Sequence, residues 1–421
     1  MKDILTVAII GLGCRGADSY GQIVNNDPRF NIVSLCEIRK VRLDRFQKEF
    51  NVKEEECFLD ENEFFQKRRA DVLVLATQDK DHVRHCLKAL ELGYDILLEK
   101  PITTNLEECY QLIAAQEKYG NKVIVCHVLR YAPAYCKMFE LLNTGAIGKL
   151  VNIHAIEQVS YWHQAHSYVR GIWRREYETS PMIMAKCCHD LDLLQALAGS
   201  YFSSISSVGE LTFFKKENQP EGAADKCHEC QFEHTCPYSA YRIYVERWEK
   251  ANKPASFWPT NVICLDPVLT KDRIIEDVKN HPMYNRCVFA CDNDVVDHQE
   301  TNIMFENGVS ANLLMTAFTG ECARHYYLHG TMGELDFDEL NQYIILRKFG
   351  EAPVVYPFSA LADINGGHGG GDQAIIEDVY QVCALDKPSK TTLRESLESH
   401  IMAIKAETSR KNKGKTIYRG E

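Results

Sequence analysis

The sequence predicts an α/β fold that opens with a doubly wound parallel sheet, and three observations carry that prediction. Apolar runs short enough to be buried strands alternate with stretches of helical periodicity. The connections between them are short. The first run, Thr6-Val-Ala-Ile-Ile, passes directly into a glycine-rich turn, Gly11-Leu-Gly13-Cys14-Arg15-Gly16.

That turn has a physical logic. Gly11 permits the bend, Gly13 lets backbone N–H groups approach a pyrophosphate, and Gly16 lets the next helix pack closely. The N-terminus of that helix, with Cys14 and Arg15 in its first turn, adds unpaired N–H donors and partial positive charge. A second strand, Asn31-Ile-Val-Ser-Leu-Cys, ends in Glu37, about 20 residues further on, where an acid hydrogen-bonds ribose hydroxyls and repels a 2′-phosphate. NAD is therefore expected over NADP, although Arg39 and Lys40 stand close enough to meet that phosphate. Val41–Asn51 reads as a helix, Ala70–Thr77 as a third strand, and His82–Leu92 as a helix closed by Gly93. Tyr94–Glu99 is a fourth strand, ending at Lys100-Pro101. Asn105–Tyr119 is a helix and Lys122–Val128 another strand. Gly11–Gly16, Glu37, Thr77, His82, Glu99 and Lys100 all fall at or just beyond strand C-termini, where such sheets bind ligands.

Composition sets the bounds. A chain of 421 residues suggests two domains, or three small ones, with 45% hydrophobic and 25% charged residues as in soluble proteins. The net charge of −11 argues against a nucleic-acid partner, and no run is long enough to span a bilayer. Lys2 and the apolar run after it superficially resemble a signal peptide, but Asp3 interrupts them, so a cytoplasmic location is expected. Seventeen cysteines then read as free thiols with a metal site, not as a disulfide framework.

The motifs together resemble one family. Gly11-x-Gly13-x-x-Gly16, Ala76-Thr77 with His82, Glu99-Lys100-Pro101, Arg130-Tyr131 and Gly145-x-Ile147-Gly148 resemble the glucose–fructose oxidoreductase/inositol dehydrogenase (Gfo/Idh/MocA) family over essentially the whole chain. The resemblance implies an N-terminal Rossmann domain and a C-terminal α/β domain with a large open, mostly antiparallel sheet. It also implies oxidation or reduction of sugars, polyols and related compounds, in a homodimer or homotetramer. The boundary is placed near His127: residues 1–127 bind NAD, and residues 128–421 form the substrate-binding and oligomerisation domain, with a Cys-rich insertion at about 215–292.

Hydride transfer from a carbinol needs a group to take the hydroxyl proton. Lys100, beside the positive charge of an oxidised cofactor, suits that task, and Pro101 fixes the backbone that aims it. Ser180-Pro181 starts a helix running to Ala198, in which Lys186, His189 and Asp192 stand at i, i+3 and i+6. The family carries His-x-x-Asp here, matching His189 and Asp192, with the His as acid/base or orienting group. Many members have an Asp four residues before that His. This chain has Ala185 there, with Lys186 beside it, which puts the usual Asp–His relay in doubt and makes Lys186 its candidate replacement. For substrate contacts, Arg130, Tyr161, Trp162, His163, Trp173 and Arg174 offer rings for sugar C–H faces and donors for hydroxyls or carboxylates, and His368 begins a Gly-rich loop able to close over substrate.

Cys227-x-x-Cys230 followed by x₅-Cys236 has metal-knuckle spacing. Cys287 is favoured as the fourth ligand, ahead of Cys291, Cys264, His228 and His234, because its segment leads back into the sheet. A closed structural zinc site is expected. Two other functional readings stand beside the dehydrogenase: an NAD-dependent glycoside hydrolase working by transient oxidation and elimination, and a non-catalytic NAD-binding sensor.

Overall fold

In the computed structural model, residues 3–255, 257–264, 268–361 and 367–421 are described. The first sheet comprises β1 (Leu5–Ile10), β2 (Phe30–Cys36), β3 (Cys57–Phe58), β4 (Val72–Leu75), β5 (Asp95–Leu98) and β6 (Val123–Val125). Their spatial order is β3-β2-β1-β4-β5-β6, and every pair is parallel. β1 and β4 are almost entirely buried, which is why they read as continuous apolar runs. The order reverses between β1 and β4, the switch point at which this topology opens its ligand crevice. The helix Leu106–Tyr119 is capped by the Asn105 carboxamide oxygen, which accepts the Glu107 N–H at 2.8 Å, and it ends at left-handed Gly120.

The second sheet has β7 (Leu150–Gln158), β8 (Phe202–Glu210), β9 (His298–Phe305), β10 (Ser310–Thr316), β11 (Ala323–Gly330), β12 (Gly333–Asp338), β13 (Tyr343–Lys348), β14 (Val354–Pro357) and β15 (Ile417–Tyr418). They lie in the order β14-β13-β12-β11-β7-β10-β9-β8-β15, antiparallel throughout except for the β7–β10 pair. One face packs on the helices Cys188–Ala198 and Leu393–Lys411, so β9 and β10 alternate buried and open positions with period two. The cysteine-rich segment between β8 and β9 packs around Tyr244, Trp248 and Phe289 in a hydrophobic cluster that also takes in Trp162, Ala165 and Val169. No helix among the described residues is long and apolar enough to cross a membrane.

One local expectation is corrected. The helix expected from Ser180-Pro181 to Ala198 is two pieces, Met182–Ala185 and Cys188–Ala198, with Cys187 at φ −92°, ψ 4° between them. Lys186 therefore leaves the face shared by His189 and Asp192, and its ammonium turns to Glu157 on β7. The polar stretch from Tyr161 to Arg170 is helical and mostly buried, because its rings and those of Tyr244 and Tyr284 pack on one another.

Candidate active site

The phosphate turn is sterically exact at two glycines and open at the third. Gly11 has φ +88°, and a Cβ there would overlap the Ala76 carbonyl; one on Gly16 would overlap the Gly11 carbonyl oxygen. A Cβ on Gly13 would meet nothing within 4 Å. This leaves clear space over the Gly13 backbone beside a helix N-terminus, the cradle a pyrophosphate needs. Glu37 stands over the same turn: its carboxylate accepts the Leu12 N–H at 2.8 Å and the Arg39 Nε–H at 2.8 Å. Burial would raise the Glu37 carboxyl, but Arg39 holds it below the usual range. The residues present thus fit a dinucleotide. Gly16→Ala is expected to abolish NAD binding, whereas Gly13→Ala keeps the fold and weakens NAD binding by obstructing only the ligand. Calorimetric titration with NAD and melting curves separate the two effects, and equal destabilisation by both variants would contradict this reading.

The end of β5 is tied down by a buried network. The Glu99 carboxylate accepts from Arg15 Nε at 2.8 Å, from the Tyr20 hydroxyl at 2.8 Å and from the Lys100 N–H at 2.9 Å. Burial favours the neutral acid, yet Arg15 and Lys100 hold Glu99 below its ordinary pKa. Arg15 also pairs with Asp372 at 2.8 Å, whose carboxylate lies 3.0 Å from His368 Nδ1. Asp372 is likewise held far below its ordinary value, against its burial, by His368 and Arg15. The His82 ring bridges the carbonyl oxygens of Pro101 and Thr77, at 2.7 and 3.2 Å, locking the two strand-end loops together.

Lys100 links this crevice to the second half of the chain, its ammonium donating to the Ala185 carbonyl at 3.4 Å. His189, one turn on, is buried; its ring lies 5.7 Å from His127 and 6.3 Å from His368, and its Nδ1 has no partner. Burial, reinforced by the Lys100 ammonium, keeps His189 well below its ordinary pKa, which favours the neutral ring. His163 is depressed in the same way, by burial and then by Lys186. Asp192 pairs with Arg130 at 3.4 Å, and burial pushes its carboxyl up to about 6.

Behind these groups runs an ion network that sequence reasoning missed. Lys186 is 3.2 Å from Glu157, which lies 2.8 Å from Arg324, which in turn lies 2.8 Å from Asp190. Burial pushes Glu157 up although Arg324 and Lys186 oppose it. Burial lowers Lys186, yet Glu157, Cys322 and Asp190 together keep it above its ordinary value. Asp79, which the sequence places with Thr77 beyond a strand C-terminus, accepts from Trp173 Nε1 at 3.3 Å and from the Ser180 hydroxyl at 3.1 Å, joining the first sheet to the second half.

Lys100, Lys186, His163, His189, His368 and Trp173 thus approach one region. Other expected substrate contacts lie elsewhere. Trp162 stacks under Arg247 at 3.9 Å, Tyr161 packs edge-on to Tyr238, and Arg174 pairs with Asp292 at 3.0 Å, all against the cysteine-rich segment. Cys14 is exposed beside the phosphate turn.

The closed zinc centre expected from the sequence is not formed. Among the described residues, no group of three or more His, Cys, Asp or Glu side chains is placed to hold a metal ion. The thiols are turned to protein groups instead: Cys227 Sγ lies 3.4 Å from Arg170 Nη2 and 3.7 Å from the Arg286 carbonyl, and Cys287 Sγ lies 4.0 Å from Gln219.

Comparison with known proteins agrees with this architecture. Residues 5–127 match the family model described as oxidoreductase family, NAD-binding Rossmann fold, and residues 140–417 match its C-terminal alpha/beta domain. The Bacillus subtilis protein YteT is 23% identical over 337 residues, covering 76% of this chain and 74% of YteT. The scyllo-inositol 2-dehydrogenase (NAD(+)) of the same organism is 26% identical over 216 residues, half of this chain and 59% of the dehydrogenase. An oxidoreductase from Agrobacterium radiobacter, solved with NAD+, L-tartaric acid and magnesium, superposes with a TM-score of 0.71 at 13% identity, covering 99% of this chain and 98% of that one. With both family models matching in order along nearly the full length, the chain belongs to the Gfo/Idh/MocA oxidoreductase family.

Proposed function

We propose that this protein catalyses NAD-dependent hydride transfer at a CH–OH or carbonyl carbon of a sugar, polyol or related compound. The observation that carries the reading is the meeting of Lys100 with the Ala185–His189 segment at the C-terminal end of the parallel sheet, beside a turn shaped for a pyrophosphate. NAD, when bound, supplies the hydride acceptor. As the carbinol is oxidised its hydroxyl proton passes to Lys100 in its neutral amine form, which becomes the ammonium, while neutral His189 holds a hydrogen bond at the same oxygen; the proton returns in the reverse direction. The tie of Glu99 to Arg15, Tyr20 and the Lys100 N–H fixes the start of the lysine side chain, so that little is left to reorganise during the reaction. His163, Trp173 and His368 orient the substrate hydroxyls. Lys186 stands near His163 with Glu157 as its counter-ion, in place of a relay carboxylate. The names of the inositol dehydrogenases among the relatives support a polyol substrate.

We also read the protein as a cytoplasmic homo-oligomer. Its cysteines are all free, and the outward face of the second sheet leaves Met304 and Val355 exposed. A screen of inositols, aldoses and sugar acids with NAD, read as NADH formation, tests the function. A free polyol or sugar should give net NADH. Release of an aglycone from a glycoside without net NADH would overturn the reading in favour of a redox-neutral hydrolase.

A further inference from the structure

Unpartnered polar atoms collect on one seam behind the reaction site. The turn Val128–Arg130 packs on the helix Cys188–Ala198, which sets His127 against His189 and Arg130 against Asp192. Among the described residues, His127 Nδ1, His189 Nδ1 and Asp192 Oδ2 are buried and meet no hydrogen-bond partner, and neither does Gln195 Oε1 further along the helix. An unpaired buried polar atom is costly, so this concentration of them demands a common cause. His189, Asp192 and Gln195 follow at intervals of three residues, each step about 4.5 Å along the helix axis. A gap of that length between polar groups is one that a water molecule bridges. The row also runs from inside to outside. His189 and Asp192 are buried and Gln195 is half-buried. Arg130, the partner of Asp192, keeps 20% of its side chain exposed and donates to the Lys390 carbonyl at 3.1 Å.

The other imidazole nearby offers no way out. His400 lies 6.0 Å from His127, but its Nε2 accepts the Ile102 N–H at 2.8 Å and its Nδ1 donates to the Ser396 carbonyl at 2.9 Å. Both of its ring nitrogens are committed. The ionisable neighbours of the row are Lys100, Arg324 and His368 around His189, and Arg130, Lys100 and Glu99 around His127. Burial, helped by Arg130 and Lys100, pushes His127 down to about 3, so its ring does not trap a proton. Asp192 is the member of the row that changes charge near neutral pH, because burial carries its carboxyl up to about 6 against the pull of Arg130.

We propose that His189, Asp192 and Gln195, with His127 beside them, line a water path that carries the alcohol proton from Lys100 to solvent. This path rests on the dehydrogenase reading above: each carbinol oxidised leaves one proton on Lys100, and that proton must go before the next turnover. An N–H bond of the Lys100 ammonium breaks as one forms on the neutral His189 ring. His189 takes the proton on one nitrogen and releases one from the other to water, which protonates the Asp192 carboxylate. Asp192 passes it to solvent beside Arg130 and Gln195. Each step moves a proton alone, since the electron pair of the carbinol C–H bond has left with the hydride to NAD. In the direction of reduction the same path runs inward. Asp192 and Gln195 touch neither substrate nor cofactor in this scheme and act through His189.

The test mixes the enzyme–NAD complex rapidly with a polyol in weak buffer, reading NADH by absorbance and protons with a pH indicator. In the parent protein one proton should appear with each NADH. Asp192→Asn keeps the shape of the side chain and should slow proton release and steady-state turnover about 10²-fold more than it slows the first NADH, the low end of the range for a proton-transfer group. Gln195→Leu, at the open end, should show a smaller lag of the same kind. Imidazole at rising concentration should restore much of the loss, because a diffusible base takes the proton in place of the path. Proton release that keeps pace with NADH in Asp192→Asn would overturn the path. So would a loss equal in first and later turnovers and untouched by imidazole, which is the mark of a purely structural role. A parent protein that forms no NADH with any polyol tells against the dehydrogenase reading instead. A high-resolution crystal structure of the parent then decides the path: water bonded to His127 Nδ1, His189 Nδ1 and Asp192 Oδ2 supports it, and direct protein contacts at those atoms overturn it.

Discussion

Lys100→Met is expected to lower kcat/KM by roughly 10²–10⁴-fold, the range for losing a general acid–base group, with NAD affinity unchanged. The methionine keeps the volume of the side chain, and the ties holding this strand end survive, because Glu99 accepts from Arg15, Tyr20 and the residue-100 backbone N–H and not from the ammonium. Only the proton-carrying group and its hydrogen bond to the Ala185 carbonyl are removed. The loss should fall on kcat, with KM moving little. Steady-state NADH formation together with calorimetric NAD titration checks both parts. A variant that turns over at the parent rate would remove Lys100 from the chemistry.

The largest stability effect is expected at Glu157. This carboxylate is 1% exposed and is shared by Arg324 at 2.8 Å and Lys186 at 3.2 Å. Glu157→Ala strands a buried cation and should cost about 3–5 kcal/mol, the range for breaking a buried pair by removing one partner. Arg324 retains Asp190, so Lys186 is the group left exposed to the penalty. Adding Lys186→Met to Glu157→Ala should therefore recover part of the loss. Chemical denaturation of the two single variants and the double variant measures this coupling. Strict additivity would show that the network contributes nothing as a unit.

The sequence made the first half of the site readable because its chemistry is local. The glycine turn, Glu37 and Glu99-Lys100 each sit at the end of a short apolar run, and strand ends in a doubly wound sheet converge without further information. The second half depends on contacts between residues far apart in the chain. Arg324 on β11 reaches Asp190 across 134 positions, and nothing in the local pattern around either residue announces the partner. Helical periodicity also misled at Lys186. The apolar spacing from Ile183 to Ala198 fits one continuous helix, but the pull of Glu157 on the Lys186 ammonium accompanies a break at Cys187 that spacing cannot register. Tyr161 and Trp162 show why aromatic residues are ambiguous in a sequence: rings suit a core as well as a binding face, and here Tyr161 packs on Tyr238 while Trp162 lies between Arg247 and His163. Cysteine spacing misled as well: Cys227 turns to Arg170 and the Arg286 carbonyl and Cys287 to Gln219, and among the described residues no metal-holding group forms.

The most direct test of the central claim is hydride tracing. A polyol substrate found by the screen is prepared with deuterium on its reacting carbinol carbon and incubated with NAD and the enzyme. The account predicts that deuterium appears on the nicotinamide ring of NADH, with one ketone or aldehyde formed per label transferred. Product formed with the deuterium still on carbon, or lost to water without labelled NADH, would contradict direct hydride transfer at this site.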